Sequence, residues 1–179
     1  VCDMSNARQL VRKALLEALA LKALPRAGWL RVGVQQPESV AAHSWGVAWL
    51  VLNLCPTNIN RAHAIEIAVV HDLAEVRAGD ITPYDGISPE SKRVLERDAL
   101  HSMVEDLPAR DRIVACWEEY DTGSTLEGRF VKTCDKLDMA LQADIYRSEG
   151  IDTREFIESA LMKLTDDEIR LLISPESED

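Results

Sequence analysis

The sequence predicts an all-α protein, and three observations predict it. Apolar residues recur at helical spacing along nearly the whole chain, capping residues stand where the periodic runs begin, and no stretch alternates with the period of two that marks a half-buried strand. The 179 residues are expected to form one helical domain with its core over about 5–150, two further helices near 153–173 and a frayed tail over 174–179. A chain of this length buries roughly two-thirds of its surface without disulfide staples.

The elements follow in order. "SNARQLVRKALLEALALKAL" (5–24) carries Leu, Val and Ala at helical spacing and stops before Pro25. "PRAGWLRVGVQQPES" (25–39) reads as a connector, because two prolines and two glycines interrupt any long period. "SVAAHSWGVAWLVLNL" (39–54) is a strongly apolar helix with Ser39 as its cap and Pro56 beyond its end. Asn60 caps the next helix, predicted to run through about Val76, and Gly79 and Pro83 open the loop that follows. Ser88 before Pro89 starts a helix reaching about Leu107, since proline suits the first helical position. "ARDRIVACWEEY" is a shorter helix. Ser124 with Glu127 offers a capping box for a long helix over about 125–148, and Thr165 with Glu168 offers another for the last helix.

Composition excludes several classes of partner. Lys plus Arg is 20 against 31 for Asp plus Glu, a formal charge of −11. Broad contact with nucleic acid or an anionic membrane needs a positive footprint, so neither is expected. A small phosphorylated substrate is compatible, because a metal ion can hold it. Cys2, Cys55, Cys116 and Cys134 are scattered without a CxxC pair and read as reduced thiols of a cytoplasmic protein. No signal peptide is visible, nor any apolar run of the roughly 18 residues that a membrane span needs. Beginning at Val1, the chain is expected to lack an initiator methionine or an upstream segment.

The chemistry concentrates in "IAVVHDLAEVRAGDITP" (67–83), where an apolar helical run ends in His71-Asp72 and continues to Glu75 and Asp80. Residues four apart share a helix face, so His71 and Glu75 are expected to project together. His43 lies in the apolar helix among Val40, Ala41, Ala42 and Val47. Asp135, with Val131 and Met139 one turn away on either side, sits on or beside an apolar face; Asp138 falls at another angle and Asp144 late in the helix. A carboxylate on an apolar face must be paired, protonated or bound to metal. Three helices thus each send a costly polar group inward, and one divalent cation among His43, His71, Asp72 and Asp135 accounts for all of them. The mixed nitrogen and oxygen donors suit Zn, Mn, Fe, Co or Ni more than Ca, with Mg also admissible.

The order His43, His71-Asp72, Asp135 on a helical chain resembles the HD-domain metal-dependent phosphohydrolases. The segments "PRAGWLRVGVQQPESVAAHS", "VVHDLAEVRAGDITP" and "FVKTCDKLDMALQA" are similar to the 5'-deoxynucleotidase branch, over roughly residues 10–150. The resemblance implies an HD-domain bundle with one metal between its helices, held by His43, His71, Asp72 and Asp135. It implies Glu75 as the group that orients or deprotonates water, and Asp80 as the group that either protonates the leaving 5'-oxygen or positions the water. The implied reaction hydrolyses a deoxyribonucleoside 5'-monophosphate. In such relatives an Arg-Trp pair shapes the nucleotide pocket. Here Trp29 matches the tryptophan, with its indole against the sugar where a 2'-hydroxyl would stand. Gly28 replaces the arginine, leaving Arg26 or Arg31 for the phosphate, with Arg31 preferred.

Other readings stay open. A triphosphohydrolase of the same fold would share the ligand set, and a metal- or nucleotide-binding regulator would need neither Glu75 nor Asp80. Trp45 and Trp49, one turn apart, read as core or dimer surface, and relatives in the branch imply a homodimer. His63 and His101 read as surface or capping groups, and Lys136 as a solvated lysine.

Overall fold

The computed structural model describes residues 2–173. The expected tail over 174–179 lies outside the described residues. Helix α1 (Cys2–Ala18) is followed by a 3-10 turn over Leu19–Lys22, so the predicted first helix tightens before Pro25 stops it. Short α2 (Ala27–Arg31) sits inside the expected connector. The connector is pinched at its neck: Arg26 N–H donates to the Glu38 carbonyl at 3.0 Å, and Val40 N–H to the Leu24 carbonyl at 2.8 Å. This loop with its small helix is therefore held against the bundle.

The remaining helices are α3 (Val40–Leu54), α4 (Arg61–Val70), α5 (Glu75–Ala78), α6 (Pro89–Val104), α7 (Arg110–Thr122), α8 (Leu126–Ser148), α9 (Arg154–Lys163) and α10 (Asp167–Ile173). No strand forms among the described residues; Pro25 and Ser39 make one isolated bridge. Ser39, Asn60 and Ser88 cap their helices as expected, accepting from the N–H groups of Ala42, His63 and Ser91.

Both expected capping boxes shift by one residue. Thr125, not Ser124, accepts from Gly128 N–H at the start of α8, and Glu127 instead reaches across to accept from Asn60 N–H at 2.9 Å. At α10 the Asp166 carboxylate, not Thr165, accepts from the N–H groups of Glu168 and Ile169. A carboxylate is favoured beside the positive end of a helix, which explains the second shift.

The centre of the molecule is a three-helix layer of α3, α4 and α8, closed by Val47, Val51, Ile67, Ala68, Val131 and Cys134. A neighbouring cluster of Val40, Leu73, Leu100, Val104 and Trp117 attaches α6 and α7. Leu137, Ala140, Ala160, Leu164 and Ile169 dock α9 and α10 onto the far half of α8. With these cores in place, the polar residues of α3, the end of α4 and the middle of α8 face one another.

One expectation needs correction. The helix predicted through Val76 ends at Val70; residues 71–74 form turns closed by Leu73 N–H to the Val70 carbonyl and Glu75 N–H to the Asp72 carbonyl, both 3.0 Å. The His71 ring nitrogen Nδ1 bonds the Ala68 carbonyl at 2.8 Å where the helical ladder stops. His71, Asp72 and Glu75 are gathered by this turn and not by a continuous helix face. Gly79, at a φ of 80°, then ends α5 and turns the chain back toward the site with Asp80.

Candidate metal centre and active site

Four donor atoms converge where α3, the α4–α5 turn and α8 meet. His43 Nε2 lies 3.6 Å from Asp72 Oδ2 and 3.2 Å from Asp135 Oδ1, and His71 Nε2 lies 3.2 Å from Asp72 Oδ2. The two imidazoles stand edge to face with centroids 5.4 Å apart. Both histidines are buried, as is Asp135, while Asp72 keeps a small exposure toward a cavity of about 610 Å³.

The opposite atom of three of these donors is already engaged. His43 Nδ1 contacts Asp138 Oδ2 at 2.7 Å, and His71 Nδ1 contacts the Ala68 carbonyl. Asp135 Oδ2 accepts from the Tyr120 hydroxyl and from Lys136 Nζ, each at 2.8 Å. A histidine that donates from one ring nitrogen presents a lone pair on the other, which is how such ligands are oriented toward a metal. His43 Nε2 and His71 Nε2 are buried yet make no hydrogen bond among the described residues. Two orphaned imidazole nitrogens beside two carboxylate oxygens fit a divalent cation, and the mixed donor set matches a borderline transition metal.

Asp138 is the residue that reading the sequence missed. Contrary to the expected difference in angle, Asp138 lies one turn from Asp135 on the same side of α8, and the His43 ring meets both, Nε2 at Asp135 and Nδ1 at Asp138. Gly46, three residues beyond His43, allows α3 to approach: a methyl there would stand 2.1 Å from Asp138 Oδ1. A glycine inside an otherwise Ala- and Val-rich helix was the available signal. Tyr120 was also missed; it lies on α7 and gives no local sign of its role. Lys136, expected to be solvated, is bound to the Asp135 carboxylate.

The acids beyond the cluster differ from one another. Glu75 is buried, its Oε2 has no hydrogen-bond partner among the described residues, and it lines the cavity. Burial, joined by the neighbouring carboxylates of Asp72 and Asp80, pushes its carboxyl up to about 10. Burial also opposes ionisation of Asp72, but the His71 and His43 imidazoles and the Arg26 guanidinium outweigh it and hold that carboxyl well below its ordinary value. Burial likewise opposes ionisation of Asp135, and Lys136 with His43 lowers it. Asp80 is fixed rather than free, since its Oδ2 accepts from Ala27 N–H at 2.8 Å.

Arg26 lies between the two acids, 3.5 Å from Asp72 Oδ2 and 3.6 Å from Asp80 Oδ1. Arg31, the preferred phosphate contact on sequence grounds, is placed differently. Its guanidinium pairs with Glu155 at 2.6 Å and stacks over the Tyr84 ring at 3.9 Å, so it serves the cavity's rim. The reason is local: α2 ends at Arg31 and carries it toward α9, whereas Arg26 precedes the helix at the pinched neck. Trp29 is almost fully buried. Its Nε1 donates to Glu38 at 3.0 Å and its ring packs on Tyr146 and Phe156, so it forms part of the cavity wall. Gly28 has its place beside the same ring; a methyl there would come 3.2 Å from Phe156 Cε1, leaving no room for a long side chain without movement of Phe156.

Trp45 and Trp49 are surface residues, 69% and 51% exposed, and stack nearly parallel. His63 is a surface-side group that contacts Glu119 and Arg112. No helix among the described residues is long and apolar enough to cross a membrane.

An all-α scaffold with a His, His-Asp, Asp donor set from three helical segments defines the class: a helical protein built around a cation site. The chain belongs to the HD-domain family, whose model matches residues 18–173. It is 36% identical over 161 residues to the 5'-deoxynucleotidase HDDC2 of Homo sapiens, covering 86% of this chain and 78% of that protein. It is 38% identical over 146 residues to the 5'-deoxynucleotidase hdd1 of Schizosaccharomyces pombe, covering 78% and 74%. Among solved structures, a protein from Pyrococcus horikoshii superposes with a TM-score of 0.73 at 33% identity, covering 89% of this chain and 96% of that one.

Proposed function

We infer that the chain is a metal-dependent 5'-deoxynucleotidase, releasing orthophosphate from deoxyribonucleoside 5'-monophosphates. The observation that carries this reading is the buried Glu75 carboxyl, unpartnered at Oε2, opening into the same cavity as the four converging donors. A pure binding module has no use for it. The curated relatives named 5'-deoxynucleotidases support the substrate.

His43, His71, Asp72 and Asp135 would hold one divalent cation, with Mn, Co, Zn, Fe, Ni or Mg as candidates. When bound, the cation supplies positive charge against phosphoryl oxygens and lowers the pKa of water beside it. The chain's own groups do the rest. Glu75 accepts the proton of the attacking water; in the metal-free site burial and the neighbouring carboxylates keep it protonated, and the charge of the cation would lower the cost of its ionisation. Arg26 holds a phosphoryl oxygen in place of Arg31, because it is the guanidinium that reaches Asp72 and Asp80. Asp80, fixed on the Ala27 N–H, stands where a leaving 5'-oxygen or the water would be oriented. Trp29 walls the sugar end, and Arg31 with Tyr84 closes the rim beyond it.

Three unpaired, buried thiols at Cys55, Cys116 and Cys134 accord with a cytoplasmic setting. The exposed α3 face of Trp45, Trp49 and Leu52 accords with a homodimer, for which light scattering should give twice the 20.0 kDa of one chain.

The decisive experiment is phosphate release from dAMP, dGMP, dCMP, dTMP, the ribonucleotides and dATP, with each metal added to stripped protein. Orthophosphate from the deoxymonophosphates, lost in Asp72→Ala and Glu75→Ala, is the expected result. Tripolyphosphate from dATP, or no release with metal demonstrably bound, would overturn it.

A further inference from the structure

Beside the metal centre lies a second cavity of about 340 Å³ whose character differs from the rest of this acidic molecule. Arg129, Lys132 and Lys136 from α8 and Lys163 from the end of α9 all line it, and the sole acid on its wall is Asp135. Asp135 is already matched to Lys136 and Tyr120, so it neutralises little of the remaining charge. In a chain carrying −11 overall, four cations around one pocket are a local reversal of sign.

The cations keep donors to spare. Lys132 Nζ spends one on the Asp121 carbonyl at 2.9 Å, and Arg129 spends Nη1 on the Gly123 carbonyl at 2.7 Å. These bonds anchor the two side chains and leave further N–H groups unused. Lys163 makes no hydrogen bond or ion pair among the described residues; partial desolvation and the nearby Lys136 ammonium pull it below the ordinary lysine value, with Asp135 opposing them. The pocket also adjoins the substrate cavity, since Tyr120, Asp135, Lys136 and Lys163 line both.

We propose that this basic pocket is a subsite for a second phosphoryl group. A ligand containing a phosphate anhydride would rest one phosphoryl group at the metal centre and the next among Lys136, Lys163, Lys132 and Arg129. The ligand class is pyrophosphate, free or as the diphosphate chain of a nucleotide. Contiguity selects it: an anion reaching both places carries two charged groups joined through one bridging atom, and each tetrahedral group suits several charged N–H donors. Occupancy would exclude the monophosphate substrate, so that the more highly phosphorylated pool restrains the hydrolase. This inference rests on the reading of the metal centre as a phosphoryl site.

The test is calorimetric titration of the metal-loaded protein with orthophosphate, pyrophosphate, dAMP and dADP, with metal content checked afterwards. Wild type is compared with Lys163→Gln and with the Arg129→Gln/Lys163→Gln double variant. Pyrophosphate should lose about tenfold or more in affinity in the double variant, as expected for two charge-assisted bonds, while orthophosphate changes by less than about twofold. If dADP is weakened along with pyrophosphate, a nucleotide chain is accepted; if pyrophosphate alone is weakened, the subsite serves the free ion. Equal losses for orthophosphate and pyrophosphate, or no loss for either, would overturn the proposal. Hydrolysis of dAMP in the same preparations separates the two readings. Selective pyrophosphate loss without any dAMP hydrolysis keeps the subsite and removes the nucleotidase, and hydrolysis without selective loss does the reverse.

Discussion

A single methyl group at Gly46 should weaken metal binding without unfolding the protein. The added Cβ would lie 2.1 Å from Asp138 Oδ1 and 2.9 Å from its Cγ, against an ordinary contact of about 3.4 Å or more. The Asp138 carboxylate must therefore move by about 1.3 Å or swing toward solvent, and its 2.7 Å contact with His43 Nδ1 is lost. His43 then loses the group that fixes its tautomer and ring plane. Loss of such an outer partner typically costs about 10–100-fold in metal affinity, or about 1.4–2.8 kcal/mol. Helix propensity pulls the other way, since alanine is favoured over an interior glycine by about 0.5–1 kcal/mol. The metal-free Gly46→Ala protein should thus melt close to wild type, while affinity for Zn or Mn, measured by competition with a chelating dye, drops. Asp138→Ala should give the same drop. Because both changes act through one carboxylate, Gly46→Ala/Asp138→Ala should be no worse than either alone. Losses that add in the double variant, or a Gly46→Ala protein with wild-type affinity, would refute the reasoning.

Glu75→Gln should bind metal with near wild-type affinity yet lose about 10²-fold or more in turnover, as removal of a general base predicts; phosphate release set beside calorimetry checks it. Arg26→Ala should cut kcat/KM for dAMP by about tenfold or more through loss of a charged phosphate contact, whereas Arg31→Ala should have the smaller effect, read from steady-state kinetics on the two proteins. Metal affinity should rise with pH across the neutral range. Although burial and Arg26 oppose it, Asp135 and Asp138 raise the metal-free His43 imidazole to about 9, and Glu75 is held up near 10, so both release protons as the cation binds. Titration in buffers of different ionisation enthalpy should show that release, and a pH-independent affinity would contradict it. The same shifts fix the sign for the metal-free fold: His43 contributes stability below its unfolded value that is lost as pH rises through about 9, and Glu75 disfavours the fold increasingly above its unfolded value until it ionises near 10. Chemical denaturation of stripped protein should therefore give lower stability at pH 9 than at pH 6.

The helical class, three caps and the residues of the donor cluster were legible because each has a local sign. Helical spacing, a serine or asparagine before an apolar run, and a polar group on an apolar face can all be read within a few residues. What was not legible depends on distance along the chain. Asp138 is 95 residues from His43, and only the packing of α3 on α8 makes them partners. Tyr120 reaches Asp135 from another helix, and Arg26 was separated from Arg31 only by the pinched neck of its loop. The break after Val70 was hidden for a different reason. "VVHDLAEV" has good helical periodicity, and the His71 imidazole bonding the Ala68 carbonyl, a side chain competing with backbone, coincides with the end of the helix.

The charge arrangement of the cavity argues for the cation independently of any likeness to relatives. Six carboxyl groups line one cavity, and four of them, Asp72, Glu75, Asp80 and Asp135, belong to the inner acids and donors of the candidate site, apart from Glu155 and Glu158. Arg26 touches Asp72 and Asp80, and Lys136 touches Asp135, whereas Glu75 has no ion pair among the described residues. Without further positive charge, its recourse is to keep its proton, which is what burial and its neighbours enforce. The imidazoles have the converse difficulty: their Nε2 atoms are buried, lack hydrogen-bond partners and face oxygens. A divalent ion held there would relieve both conditions at once, replacing the proton of the metal-free His43, giving the Nε2 lone pairs a partner and lowering the cost of ionising Glu75. The features that make the metal-free site unfavourable are therefore those that prepare a base for chemistry once the ion is bound.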